Sequence, residues 1–254
     1  MNIREKVVMI TGASQGIGLA TARLFAQRGA KVALVARSAE TLQHIEAEWQ
    51  AQGLEVRAFP ADLRDAEAIR SVVNAIVQTY GRVDLLINNA GQGISGAIAD
   101  LDSQIYQHVF ALNVVGPLLM MQAVIPMMRK IKGGLIINIS SMVSAFRLPG
   151  NGGYASTKAA LNKLSEIARV ELAPKNIRLV VVYPGQTTTN FGQHVLGDPA
   201  ARLAGMGQGQ PDGADNPEQV AEKILWAAEQ EPEEVYMHEE WLAPVSTLTP
   251  LGQE

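Results

Sequence analysis

Apolar residues cluster in seven short runs that recur along almost the whole chain. These runs show no strict alternation of apolar and polar positions, which favours strands that helices cover on both faces. The predicted strands are 7–10, 32–35, 56–59, 85–87, 135–139, 179–182 and 234–237. Strands of this kind predict the central sheet of an α/β domain.

Longer stretches between these runs are predicted as helices. They span 17–28, 39–52, 66–80, 103–129, 154–172 and 217–229, and Gly29, Gly53 and Gly81 follow the first three as C-terminal stops. The alternation predicts a doubly wound, Rossmann-type α/β fold with a parallel seven-stranded sheet and helices on both faces. We expect the 254 residues to form a single domain.

One stretch, residues 190–216, fits neither pattern. It is rich in Gly, Ala, Pro and Gln and is too long for an ordinary connection between elements. Long irregular loops inside compact domains are usually functional. We therefore predict that residues 190–216 form a substrate lid.

Composition narrows the classes of function. The net charge of −4 gives no general attraction to nucleic acid or to an anionic membrane, so neither is an expected partner. The absence of cysteine excludes disulfides, thiolate zinc sites and a cysteine nucleophile.

We expect no membrane-spanning or targeting segment. A membrane-spanning helix needs about 18 apolar residues, and we expect no apolar stretch to approach that length. The first apolar run breaks at Thr11 and Gly12, as a strand would, so we expect no signal peptide and a cytoplasmic protein.

Metal catalysis is not expected. The histidines are scattered and no HExxH motif or carboxylate cluster accompanies them. They are His44, His108, His194 and His238.

A glycine-rich turn, TGASQGIG at residues 11–18, follows the first predicted strand and opens into a helix. Glycines let a backbone approach a pyrophosphate, and a helix N-terminus offers unpaired N–H groups and a positive dipole end. The turn lacks the Lys-Ser/Thr pair of a P-loop, which favours a dinucleotide over ATP or GTP. A purely structural turn is the alternative. The predicted cofactor contacts here are Gly12, Ser14, Gln15, Gly16, Ile17 and Gly18.

Further motifs occur in one order along the chain. They are Asp62-Leu63, NNAG at 88–91, Asn113, Ser141, YASTK at 154–158 and PGQTTT at 184–189. With the glycine-rich turn, they make the chain resemble a short-chain dehydrogenase/reductase of the short, single-domain form. The resemblance runs from residue 11 to residue 189, and the strand–helix pattern extends it to about residue 237.

Tyr154 and Lys158 are four residues apart on one predicted helix, so their side chains share a face. A nearby ammonium stabilises a phenolate, and the spacing therefore predicts a lowered pKa for Tyr154 and a role as general acid–base. A surface Tyr–Lys pair is the alternative.

Ser141 lies thirteen residues before Tyr154. The resemblance favours it over Ser140, which we expect to face the other side of the strand end.

Asn113 completes the predicted catalytic set. Pro117 lacks the N–H that would bond the Asn113 carbonyl, so the helix should kink and leave this carbonyl free. The resemblance implies that Asn113 holds a water linking Lys158 to solvent. A kinked core helix without such a role is the alternative.

The remaining cofactor contacts are implied by the resemblance alone. Asp62 and Leu63 would meet the adenine, and Asn89, Ala90 and Gly91 would lie near a ribose. The nicotinamide and its phosphate would be cradled by Pro184, Gly185, Thr187 and Thr189, with Tyr154 and Lys158 also in contact. Asn88 would hold neighbouring strands together.

The end of the second strand predicts the choice of dinucleotide. Folds that select NAD place a carboxylate about 20 residues beyond the turn to bind the ribose 2′-hydroxyl. Ala36 occupies that place, and Arg37 and Ser38 follow it. A guanidinium fork suits a phosphate dianion, so we expect NADP(H) to be preferred over NAD(H). The alternative is that Arg37 is a solvated loop residue.

These features predict an NADP(H)-dependent oxidoreductase that moves a hydride between the nicotinamide and a carbonyl or alcohol carbon. A 3-oxoacyl-thioester reductase and a non-catalytic NADP(H)-binding sensor or scaffold are the alternatives. The resemblance also implies a homodimer or homotetramer. The substrate is expected to be a small molecule in an apolar pocket, and Arg147 could face either into or away from it. The pocket residues are expected to be Phe146, Leu148, Val195, Leu196, Leu203 and Met206.

Overall fold

Nine strands are present in the computed structural model, which describes residues 1–198 and 213–239. They are β1 (Val7–Thr11), β2 (Lys31–Ala36), β3 (Val56–Pro60), β4 (Leu85–Asn88), β5 (Ile94–Ser95), β6 (Gly134–Ile139), β7 (Ile177–Tyr183), β8 (Leu196–Gly197) and β9 (Glu234–Tyr236). Seven form one parallel sheet in the order β3-β2-β1-β4-β6-β7-β9. The predicted seven-stranded parallel sheet is confirmed.

Seven α-helices surround this sheet in the described part of the chain. They are α1 (Gly16–Gln27), α2 (Ala39–Ala51), α3 (Ala66–Tyr80), α4 (Ser103–Phe110), α5 (Gly116–Lys130), α6 (Gly152–Leu172) and α7 (Pro217–Gln230). Alternate β1 residues face opposite sides, with Val8 and Ile10 in one hydrophobic core and Val7 and Met9 in the other. The first core lies under α1, α2 and α7, and the second under α3, α5 and α6. The doubly wound fold is therefore confirmed.

Strands β5 and β8 form a separate parallel pair that the sequence pattern did not indicate. Each has only two residues, which is too short for a periodic signal. The pairing places Ile94 opposite Leu196 and Ser95 opposite Gly197. This pairing joins the first part of the predicted lid to the loop after β4.

The predicted helix 103–129 is present, but a π-helical turn, Ala111–Val115, joins α4 to α5. The combined helix, Ser103–Lys130, is long and apolar enough to cross a membrane, contrary to the expectation from the sequence. Half of its most apolar stretch is buried inside the domain. Such burial is typical of the core helix of a globular domain.

A chain of buried polar side chains ties α6 to the sheet. Asn88 Nδ2 donates to Asn138 Oδ1 at 2.9 Å, linking β4 to β6. Asn138 Nδ2 donates to Ser165 Oγ at 2.8 Å, and Ser165 Oγ donates to the Leu161 carbonyl at 2.7 Å. Asn88 therefore holds neighbouring strands as predicted, and the same chain fixes α6 two turns beyond Lys158.

Replacing Asn138 with alanine should destabilise the fold. The substitution leaves the Asn88 amide buried without this acceptor, so the free energy of unfolding should fall by roughly 1–3 kcal/mol. Urea unfolding of both proteins measures the change. Asn74→Ala on the exposed face of α3 is the matched control, expected within about 0.5 kcal/mol of wild type. Equal stability of the two variants would contradict this account.

Candidate active site

A cavity of about 1540 Å³ opens along the carboxyl ends of the parallel strands. This volume exceeds the roughly 300–1,000 Å³ of ordinary small-molecule pockets. Most of the predicted site residues line it: Gly12, Ser14, Gln15, Gly16, Ile17, Arg37, Ser38, Leu63, Asn89, Ala90, Gly91, Ser141, Tyr154, Lys158, Pro184, Gly185, Thr187 and Thr189. Gly18, Asp62 and Asn113 are not among its lining residues.

The glycine-rich turn presents the N-terminus of α1 to the cavity. Gln15 precedes this helix in extended conformation and makes no side-chain cap. By contrast, Asp65, Asp102 and Asn216 cap α3, α4 and α7 through their side chains. The start of α1 therefore presents backbone N–H groups that an anion in the cavity would satisfy.

Two glycines show why this turn excludes larger residues. A Cβ on Gly18 would lie 2.2 Å from the Gly12 carbonyl oxygen. Only glycine at position 18 therefore lets the two parts of the turn pack this closely. Gly16 has φ of 55°, a conformation that favours glycine. The turn therefore leaves its backbone open to close approach, and its contact with a pyrophosphate stays a prediction.

Thr11 joins this turn to the loop after β4, a function that the sequence analysis missed. Its hydroxyl accepts from the backbone N–H groups of Asn89 at 2.9 Å and Ala90 at 3.0 Å. The Asn89 side chain donates to the Thr11 carbonyl at 2.9 Å. Asn89 thus shapes the cavity wall through this contact. The hydroxyl of Thr11 is buried, and no spacing rule marks a buried threonine.

Tyr154 and Lys158 project from the first two turns of α6 into the inner end of the cavity. Lys158 is 3% exposed, and its Nζ donates to the Ile139 carbonyl at 2.9 Å. The same Nζ lies 5.8 Å from the centroid of the Tyr154 ring. Ser141, just after β6, lies beside the Tyr154 hydroxyl and interacts with it. Three of the four predicted catalytic side chains are therefore together.

The expected lowering of the Tyr154 pKa is wrong for this structure. Burial raises the pKa of Tyr154 above its ordinary value, and the interaction with the Ser141 hydroxyl opposes this only in part. Burial also lowers the pKa of Lys158 to about 8. Helix spacing correctly placed both groups on one face, but desolvation disfavours the charged form of each.

Ser140 also borders the cavity, and the direction of its side chain stays a prediction. Its hydroxyl is buried and has no hydrogen-bond partner within the described residues. Ser141 differs from it by contacting Tyr154. The contact supports the preference for Ser141.

Asn113 is fully buried within the π-helical turn, where the sequence predicts a kink. Its Oδ1 accepts from the Gln92 N–H at 2.9 Å, and its Nδ2 donates to the Gln92 carbonyl at 2.9 Å and to Thr157 Oγ1 at 3.0 Å. The side chain thus ties the loop after β4 to α6. The water-binding role of its backbone carbonyl stays a prediction.

Asp62 is paired with a neighbouring arginine, and its expected contact with the adenine stays a prediction. Arg64 Nε donates to the two carboxylate oxygens of Asp62 at 2.8 and 3.1 Å. This hydrogen bonding lowers the pKa of Asp62 to about 2. Arg64 Nη1 also donates to His108 Nε2 at 2.6 Å. Arg64 therefore engages the carboxylate that the resemblance implied for adenine.

The described part of the predicted lid covers the inner end of the cavity. The Phe191 ring lies 5.8 Å from the Tyr154 ring, centroid to centroid. Gln92 Nε2 donates to the His194 carbonyl at 2.8 Å, and Ser95 Oγ donates to the Asp198 carbonyl at 2.7 Å. Residues 199–212 of the lid, with Leu203 and Met206 of the expected pocket, lie outside the described residues.

Comparisons with known proteins agree with this geometry. The family described as short chain dehydrogenase matches residues 6–199. The 3-oxoacyl-(acyl-carrier-protein) reductase FabG of Thermotoga maritima is 34% identical, over 91% of this chain and 93% of the relative. The chain belongs to the short-chain dehydrogenase family of oxidoreductases.

Two solved structures extend the likeness. The alcohol dehydrogenase of the archaeon Thermococcus sibiricus, complexed with 5-hydroxy-NADP, has 32% identity and a TM-score of 0.78, covering 91% of this chain and 95% of that one. A 7α-hydroxysteroid dehydrogenase complexed with NADH and 7-oxo glycochenodeoxycholic acid has 28% identity and a TM-score of 0.83, covering 93% and 94%. Members of the family thus bind either dinucleotide.

The lowered pKa of Lys158 predicts the upper pH limit of the enzyme. Its ammonium should lose its proton as the pH passes about 8, so kcat/KM for the dinucleotide should fall above that pH. This parameter reports ionisations of the free enzyme. Lys158→Met should not show this fall of kcat/KM at high pH. Lys163→Met, on the exposed face of α6, should show it as wild type does. A fall of kcat/KM only near a pH of about 10.4, which is the ordinary pKa of lysine, would contradict the prediction.

Proposed function

We propose that the chain is an NADP(H)-dependent carbonyl reductase and, in reverse, an alcohol dehydrogenase. One observation carries the proposal: Ser141, Tyr154 and Lys158 meet in the same cavity into which the uncapped N-terminus of α1 opens. The glycine-rich turn at α1 would hold the pyrophosphate of the dinucleotide, and Tyr154 and Lys158 would contact its nicotinamide end. The bound dinucleotide supplies the hydride.

The chain's own residues supply the proton and the orientation. Burial keeps the Tyr154 phenol protonated, which suits it to give a proton to a carbonyl oxygen. Ser141, whose hydroxyl already interacts with the phenol, orients the same oxygen. Lys158 holds a positive charge next to this pair up to a pH of about 8. Phe191 and the lid exclude water from one side of Tyr154.

The preference for NADP(H) is supported by the start of α2. Ala36, Arg37, Ser38 and Thr41 line the cavity, and this part of the lining contains no carboxylate. Ser38 precedes α2 without capping it and instead bonds Thr41 Oγ1 at 2.7 Å. A helix start with a guanidinium and two hydroxyls fits a ribose 2′-phosphate.

Two other functions stay as alternatives. Reduction of a 3-oxoacyl thioester is favoured by the Thermotoga relative, while the C-terminal sequence here lacks the TGQ…VDGG ending typical of such reductases. A non-catalytic sensor is disfavoured because Asn113, Ser141, Tyr154 and Lys158 are all retained. A cytoplasmic location belongs to the proposal as well.

We also propose that the protein is a homodimer or homotetramer. The outer faces of the helices that the resemblance implicates expose apolar side chains. Ile167 and Val170 on α6 are 53% and 72% exposed, and Val115 in the π-helical turn is 37% exposed. Such surface on neighbouring helices favours contact with another copy of the chain.

Tyr154→Phe should abolish reduction and leave dinucleotide affinity nearly intact. The substitution removes the transferable proton but little binding surface. We expect a fall in kcat of at least about 100-fold, the lower end for a general acid, measured as NADPH consumption. Tyr80→Phe at the end of α3 is the control and should keep wild-type activity. Turnover by the Tyr154 variant above a tenth of wild type would contradict the assignment.

Ala36→Asp combined with Arg37→Ala should shift the preference from NADPH toward NADH. The new carboxylate repels a 2′-phosphate, and the loss of one charged hydrogen bond of roughly 1.5–3 kcal/mol corresponds to about 10- to 100-fold. The measurement is the ratio of kcat/KM for the two dinucleotides. A wild type that prefers NADH, or equal ratios in both proteins, would refute this preference. Arg28→Ala at the end of α1 should leave the ratio unchanged.

A further inference from the structure

The cavity contains a third cationic side chain that the proposed chemistry does not use. Its described lining includes Arg37, Arg147 and Lys158, and no aspartate or glutamate. Arg37 lies at the start of α2, where the 2′-phosphate is proposed to bind, and Lys158 lies beside Tyr154. Arg147 belongs to neither place. Its segment lies between Ser141 and Tyr154 in the chain and lines the same cavity.

Local contacts hold this segment at the mouth of the cavity. The Leu148 carbonyl accepts from the Asn151 N–H at 3.1 Å, just before α6. The Gly150 carbonyl accepts from the Gly96 N–H at 2.9 Å, next to β5. The Arg147 side chain is exposed and makes no hydrogen bond or ion pair with residues 1–198 or 213–239. Its guanidinium donors are therefore available to a ligand.

The cavity wall near Arg147 is largely apolar. Phe146 and Leu148 flank it in sequence, and Phe191 and Val195 contribute from the lid. Phe191 is 37% exposed although it packs on the Tyr154 ring. A ligand that contacts both Tyr154 and Arg147 therefore also finds apolar surface in the same cavity.

We propose that Arg147 is a specificity-determining residue that binds an anionic group at the far end of an apolar carbonyl substrate. The inference rests on the proposed function and names the substrate class. The net charge of −4 offers anions no long-range attraction, so a local cation in a lining free of described carboxylates is selective. The planar fork of arginine fits a carboxylate or a phosphate through two parallel hydrogen bonds.

The first experiment compares medium-chain oxo acids with their methyl esters at saturating NADPH. The acid and its ester share the carbonyl and the apolar body, so only the charge differs. Wild type should prefer the acid by about tenfold in kcat/KM, mainly through KM, which is the scale of one charge-assisted hydrogen bond. Arg147→Met should remove this preference and leave the ester unchanged. The KM of the acid should also rise with salt in wild type only.

A second pair of substrates identifies the source of the anion. A 3-oxoacyl-coenzyme A thioester carries phosphates on its carrier, whereas the N-acetylcysteamine thioester of the same acyl group carries none. A preference for the coenzyme A thioester that disappears in Arg147→Met, without a preference between acid and ester, would support a carrier phosphate as the anion. A preference within the acid–ester pair supports a carboxylate on the substrate itself.

Controls separate this inference from the proposed function and from misfolding. Arg129→Met, exposed at the end of α5, should behave as wild type with every substrate. Unchanged Tm and NADPH affinity of Arg147→Met show an intact fold. Equal rates within both substrate pairs in wild type, or equal losses for charged and neutral substrates in Arg147→Met, would overturn the role of Arg147. Failure of wild type to reduce any of the four compounds would contradict the proposed function itself.

Discussion

The reversal of strand order between β1 and β4 is the constraint on which the site depends. The chain leaves β1 toward β2 and β3, then crosses back to β4 and continues to the other edge of the sheet. The loops after β1 and β4 therefore diverge, and a crevice must open at their carboxyl ends. Thr11 limits this opening, because its hydroxyl binds the N–H groups of Asn89 and Ala90. The glycine-rich turn and the loop after β4 become two fixed walls of one cavity.

Desolvation sets the chemistry inside that cavity. A fully buried ammonium is expensive, and Lys158 offsets part of this cost through one hydrogen bond to the Ile139 carbonyl. The same burial holds the proton on Tyr154. Both groups are therefore displaced toward their neutral forms. Reduction needs a protonated phenol, so for Tyr154 the displacement favours the proposed direction of catalysis.

Particular residues show where sequence reasoning succeeds and where it stops. The seven strands of the main sheet were predictable because each contains a short, mostly apolar run between helical stretches, whereas β5 and β8 have two residues each and no period. The grouping of Tyr154 with Lys158 follows from helix geometry, but the direction of the Tyr154 pKa depends on the surrounding dielectric. The pairing of Asp62 with Arg64, two residues later, could not be predicted because it depends on how the backbone turns after β3.

Two carboxylates near the cavity illustrate a local electrostatic arrangement that opposes the overall charge. Asp62 lies close enough to Arg37 for that guanidinium to help lower its pKa, yet Arg64 is the partner it binds. Asp215, at the far side near Thr187 and Thr188, is buried and bonds His238 at 3.0 Å. Both acids are thus paired with basic groups outside the described lining. A chain of net charge −4 can therefore present a cationic interior to an anionic ligand. Salt screens the field of the remaining negative charges, whose reach in solution is about 10 Å at 0.1 M salt.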